Sequence, residues 1–279
     1  MLVLLFGGEA SAYCRMNTSG DNCALCGEDD PDAGCQYLEW DRRCIEVHID
    51  GSGARDFDSE TLRSIVGVSL DQWLNITCDD VAVDFDVRIS DTPAMCNFAE
   101  FNVEEGNVNT VAFADDWERR GYDPMAYALT TVWHNTRTGR ILDADIEVNQ
   151  NRGTYADCPA PDGCTDGRID LQNVMTHEFG HFFGVGHSNQ PGAAMWPQSP
   201  PGEILKRFLK ADDMQAICDV YPPGSLDSAC DFGQVNGLSL TCPTDEGCSV
   251  TEVGRSGPQT PLSILAVVAI AGLRLRRRR

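Results

Sequence analysis

An α/β (α+β) fold with small, disulfide-rich N- and C-terminal appendages is what this sequence predicts, on three observations. Apolar patterns of helical and of strand period alternate between residues 45 and 222. One helical stretch, residues 170–183, has a continuous apolar side yet carries two histidines and a glutamate. Thirteen cysteines are too many for a reduced cytosolic enzyme and indicate an oxidising compartment. At 279 residues the chain can bury one sizeable core. A formal net charge of −22 argues against a nucleic-acid partner, whose phosphates would repel it. Most of the carboxylates read as solvated faces that confer solubility.

In chain order, residues 1–12 read as the remains of a truncated secretory signal: Leu2 to Phe6 is apolar and Ala10-Ser11-Ala12 fits a small-residue cleavage site. Residues 13–44 form a Cys-rich segment in which Cys14, Cys23, Cys26, Cys35 and Cys44 suggest a disulfide cluster rather than a metal or redox site. A long helix is expected over Thr61 to Thr77, where Leu62, Ile65, Val66, Leu70, Trp73 and Leu74 recur at helical spacing. Val81 to Val87 alternates apolar and acidic residues, as a half-exposed strand does, and Asn109 to Phe113 is a further strand candidate. Asp170 is placed to cap the helix whose buried side is Leu171, Val174, Met175, Phe179, Phe182 and Phe183.

That helix runs into His177-Glu178-Phe179-Gly180-His181-Phe182-Phe183-Gly184-Val185-Gly186-His187, the spacing H-E-x-x-H-x-x-G-x-x-H. Histidines four apart project from one helix face and can grip one metal ion. Glu178, one step around, can reach a water at that metal without binding it. Gly184 permits a turn out of the helix that side chains resist, returning His187 as third ligand with a coordination position left open. The extended motif is expected by chance in roughly 1 in 10⁵ chains of this size, so a core helix with incidental histidines is the weaker reading.

The motif, followed by Ser188 and by Met195-Trp196-Pro197, resembles the metzincin zinc metalloproteases and within them the matrixins. The resemblance implies a metzincin-like zincin fold over residues 45–222: a twisted, mostly parallel sheet on a long backing helix and an active-site helix. It implies paired strands at Ala128 to Trp133 and Ile141 to Val148, and a closing helix from Lys210 to Tyr221. Met195 would be the Met-turn residue, a hydrophobic floor below the zinc. The chain departs from animal matrixins in two ways. Only His48 and His134 remain for a second, structural zinc, and the propeptide motif Pro-Arg-Cys-Gly is absent.

The implied function is a secreted or surface-anchored zinc endopeptidase with one catalytic Zn²⁺ on His177, His181 and His187 and with Glu178 as general base. Its partner would be a protein or peptide substrate. Two alternatives stand beside it: a non-catalytic metal-binding adhesion module, and a zinc amidohydrolase acting on cell-wall peptides. The loop Asp157 to Gly167 offers hard oxygen ligands for Ca²⁺, although a loop closed by Cys158–Cys164 without an ion is the stronger reading. Cys78–Cys96 and Cys230–Cys242 are the other local pairs expected. Beyond a Cys-containing segment and linker over 223–260, the apolar run Leu262 to Leu273 ends in Arg274-Leu275-Arg276-Arg277-Arg278-Arg279. Shorter than the ~20 residues of a stable membrane helix, residues 261–279 resemble a myxobacterial sorting signal: a cysteine, here Cys248, then a short apolar helix and an arginine tail. Membrane contact and sorting machinery follow as expected partners.

Overall fold

The computed structural model describes residues 13–20, 35–226 and 229–242, and the backbone of 264–272. The signal-like segment, Cys23, Cys26, Cys248 and the arginine tail lie outside the described residues.

The core is a six-stranded sheet. In chain order its strands are β1 (Cys44–Ile49), β2 (Asp86–Ile89), β3 (Asn109–Ala114), β4 (Ala126–Asn135), β5 (Ile141–Asn149) and, numbered past one smaller strand, β7 (Ile264–Gly272). The smaller strand is β6 (Val185–Ser188). The sheet order is β7-β4-β5-β3-β1-β2, with β2, β1, β3 and β5 mutually parallel and β4 and β7 antiparallel to their neighbours. Thus the expected mostly parallel sheet is present. Helices α1 (Ser59–Leu74) and α2 (Leu171–Phe182) cover one face, and α3 (Ala211–Val220) closes the domain.

Each helix begins where its sequence supplies a cap. The Asp58 carboxylate accepts from the Thr61 N–H at 2.8 Å, and Asp170 accepts from the Asn173 N–H at 2.7 Å. Leu62, Ile65, Val66, Leu70 and Trp73 are buried together with Val111, Phe113, Ala144, Ile146 and Val148 of the sheet. Two buried indoles fix the layers by hydrogen bonds as well as by area: Trp73 Nε1 donates to Thr176 O at 2.8 Å and Trp40 Nε1 to Phe182 O at 2.9 Å.

Several expectations are corrected. The strand expected over 81–87 is broken: Val81–Ala82 pairs with Thr77–Cys78 through a turn in which Asp79 and Asp80 have positive φ, and the sheet strand starts only at Asp86. Asp143, Asp145 and Glu147 on β5 are not solvated but buried, on the face opposite the helices. Asp145 is compensated by the N–H groups of Glu100 (3.0 Å) and Thr110 (2.6 Å), and Glu147 by Arg120 and the Tyr122 hydroxyl (2.9 Å). Asp143 has no hydrogen-bond partner, and burial raises its pKa well above the usual carboxylate range.

Cys158–Cys164 pairs as expected, but Cys78 joins Cys218, Cys96 joins Cys242, and Cys44 joins Cys230. Folding brings cysteines 140 to 186 residues apart within bonding distance, which nearness in sequence could not reveal. Cys14 and Cys35 are disulfide-bonded as well. Finally, Ile264–Gly272 is a strand, not the short helix of the sorting-signal pattern. Its β-branched run pairs along β4, with Ala269 opposite Thr130. Among the described residues no helix is long and apolar enough to cross a membrane.

Candidate metal centre

The three histidines of the sequence motif converge. His177 and His181 stand one turn apart on α2, and the chain reverses at Gly184 (φ 83°) into β6, which carries His187. A side chain at Gly184 would be strained twice, by that φ and by Leu38 O, which lies 2.3 Å from where its Cβ would stand. The ring centroids are 4.8, 4.9 and 5.3 Å apart, and the metal-capable atoms of the three residues lie within 4.8 Å of one another.

Which nitrogen faces inward is set by the surrounding backbone. His177 Nδ1 is bound to Ala194 O at 2.6 Å and His181 Nδ1 to Val185 O at 2.8 Å, so each ring donates outward and turns Nε2 to the centre. All three Nε2 atoms are buried without a hydrogen-bond partner. Burial lowers the pKa of His177 and His181 well below the usual value and that of His187 to about 4, with nearby positive charge adding to the effect. The imidazoles are therefore neutral at pH 7, as metal ligation requires. Three orphaned, neutral nitrogens at this spacing fit a zinc ion with an open coordination position.

Glu178 is fully buried on the side facing β4. Its Oε2 accepts from Thr130 Oγ1 at 2.6 Å, while Oε1 has no partner. Burial lifts the carboxyl pKa to about 8, partly offset by the Thr130 hydrogen bond and by Lys206.

Met195 is buried below this turn of α2. Its Sδ lies 2.2 Å from where a Cβ on Gly180 would stand, so only glycine lets the helix settle on it. The loop carrying Met195 is tied on both sides: Ser188 N–H donates to Met195 O at 2.8 Å, and the buried Asp213 carboxylate accepts from Ala194 N (2.8 Å) and Met195 N (3.0 Å). Asp213 also accepts from Lys210 N at 2.8 Å, so one carboxylate caps α3 and holds the turn. Sequence reasoning passed over Thr130, Gly180, Lys206 and Asp213; only the acid at the third position of a helix was a readable signal among them.

The N-terminal segment reaches the site too. Tyr13–Arg15 pairs antiparallel with β6, and Met16 N–H donates to Gly184 O at 2.9 Å. In the Asp157–Gly167 loop, Asp157 pairs with Arg207 at 2.6 Å and Asp166 with Arg168 at 2.8 Å, so two of the acids that could hold Ca²⁺ already have cationic partners.

A mixed sheet, a helix that contributes two histidines to a converging triad and a methionine turn beneath it define a metzincin-type zinc-peptidase fold. The matrixin family model matches residues 39–222, and the chain belongs to that family, whose members bind zinc. The chain is 39% identical to Metalloendoproteinase 1-MMP of Arabidopsis thaliana over 61 residues, covering 22% of this chain and 16% of that protein. It is 39% identical to human neutrophil collagenase over 57 residues, 20% of this chain and 12% of the collagenase. Human matrilysin shares 38% over 60 residues, 20% of this chain and 22% of matrilysin. The matched stretch thus spans less than a quarter of each of these relatives.

Proposed function

We propose that this chain is an exported zinc-dependent endopeptidase in which His177, His181 and His187 hold the metal and Glu178 is the general base. The observation that carries the reading is the convergence of three buried, unpartnered Nε2 atoms beside a carboxylate oxygen that is itself buried and unpartnered. Burying four polar atoms without partners costs roughly 1–3 kcal/mol each, which a structural role would not repay. Zinc bound there would supply a Lewis acid that brings water toward a neutral pKa and polarises the scissile carbonyl.

The chain's own residues divide the remaining work. Thr130 holds Oε2 of Glu178, which leaves Oε1 to take a proton from the attacking water and hand it to the departing amine. The carbonyls of Ala194 and Val185 fix the ring tautomers, and Met195 supports the helix turn that bears the ligands. Export is supported by the disulfides, which need an oxidising compartment. Anchoring at a membrane through the C-terminal segment rests on its apolar and arginine-rich sequence alone.

The test is cleavage of unfolded casein by the zinc-loaded full chain, with and without a zinc chelator, beside Glu178→Ala. Chelator-sensitive proteolysis lost in the variant, with zinc still bound, is the expected result. Full activity in the variant would overturn the general-base role. Hydrolysis of peptidoglycan but not casein would instead select the amidohydrolase reading, and zinc binding without either activity the adhesion module.

A further inference from the structure

Lys206 is a buried lysine that the mechanism above does not use. Only 2% of it is exposed, and it lies in the segment Trp196–Arg207 that follows the methionine turn. Its place is fixed from α2. The Asn173 side chain accepts from Lys206 N–H at 2.8 Å through Oδ1 and donates to Ser199 Oγ at 3.0 Å through Nδ2. Asn173 stands four residues before His177, on the same helix face, so the segment is fastened to the flank of the helix that bears the site.

The ammonium donates to Trp196 O, directly after Met195. That is one acceptor for a group with three donors, and among the described residues no carboxylate lies within ion-pairing distance. The carboxylates that act most strongly on it are Glu203 and then Glu178, and its own charge acts on His177, His181 and His187 as well. An ammonium with two donors to spare, buried beside the reacting groups, has the chemistry to receive a carboxylate.

Which substrate residue would deliver it follows from the proton path. Glu178 passes its proton to the departing amine, so the residue contributing that amine lies next to Glu178, one of the carboxylates whose charge acts on Lys206. We propose that Lys206 is a specificity-determining residue whose buried ammonium receives an aspartate or glutamate at the substrate position that supplies the departing amine. The proposal rests on the endopeptidase reading. A chain with net charge −22 would repel an acidic peptide at long range, but that repulsion is screened beyond about 8 Å at physiological ionic strength, whereas a contact inside the cleft is not. Binding also relieves the cost of holding a lysine in a dry site.

The test uses the zinc-loaded full chain and four fluorogenic peptides identical except at that position: Glu, Gln, Leu or Lys. Cleavage of the Leu peptide tests the endopeptidase reading by itself; the Glu to Gln ratio in kcat/KM tests Lys206. Wild type is expected to favour Glu at least tenfold, Lys206→Met to bring the ratio near one while still cutting the Leu peptide, and Lys206→Glu to favour the Lys peptide. Leu cleavage with a wild-type Glu to Gln ratio of one or less would overturn the proposal and leave the enzyme reading intact. An unchanged ratio in Lys206→Met would also overturn it. Should the variants misfold, the wild-type ratio decides alone.

Discussion

Gly180 and Met195 are in contact that admits no side chain: a Cβ on Gly180 would lie 2.2 Å from Met195 Sδ and 2.8 Å from Trp73 Cζ2. The glycine sits between the two helical zinc-ligand candidates, so anything that lifts this turn off the methionine displaces both rings. Gly180→Ala gains helix propensity of about 1 kcal/mol but must push two fully buried side chains apart, at a cost of about 1–3 kcal/mol. The second effect wins. We expect a lowered Tm together with weaker zinc binding, measured by denaturation and by competition with a chromophoric chelator. A rise in Tm with unchanged affinity would show that Met195 yields without disturbing the site.

Legibility in the sequence follows the range of the interactions. His177, Glu178, His181 and His187 lie within eleven residues, so helical geometry plus one glycine turn was enough to assemble them. The helices α1 and α2 and the strands β3 to β5 were visible because each carries its own period or belongs to the resemblance. By contrast, Asp213 acts on Met195, Thr130 on Glu178 and Cys44 on Cys230 across the fold, and no local pattern encodes such pairs. Acids on β5 were misjudged for the same reason, since their burial depends on the segment carrying Glu100, Arg120 and Tyr122. The C-terminal apolar run was ambiguous in principle: a short Ile/Val-rich stretch serves helix or strand, and the open edge of β4 selects strand.

Burial of Glu178 makes the zinc-free protein pH-sensitive in a defined direction. Its folded pKa of about 8 lies above the 4.5 of an ordinary glutamate, so between these values the folded state holds more protons than the unfolded one. The group's contribution is complete below about pH 4.5 and is lost as pH rises through 8. Glu178→Gln removes that loss. The zinc-free variant should therefore gain on wild type in unfolding free energy from pH 5 to pH 8, by up to about 1.4 kcal/mol per pH unit. With zinc bound, the metal's charge favours the carboxylate and the difference should shrink. Parallel urea titrations check both statements, and a gap that narrows with rising pH in the zinc-free form would contradict the assignment.

Asp213 separates the support of the site from its chemistry. Its carboxylate accepts three backbone N–H groups, from Lys210, Ala194 and Met195, and is buried. Asp213→Ala would leave three donors without their acceptor in a closed pocket, at about 1–3 kcal/mol for each that finds no water. Asp213→Asn keeps the shape and an oxygen but replaces a second acceptor by a donor, facing N–H against N–H. Both variants should lose stability, alanine most, and both should loosen the methionine turn under His177, whose Nδ1 is held by Ala194 O. Hydrogen exchange resolves the point: the amides of Ala194 and Met195 should lose protection in Asp213→Asn at temperatures where the amides of β3 and β5 remain protected. Uniform loss across the sheet would mean that Asp213 supports the domain as a whole rather than this turn.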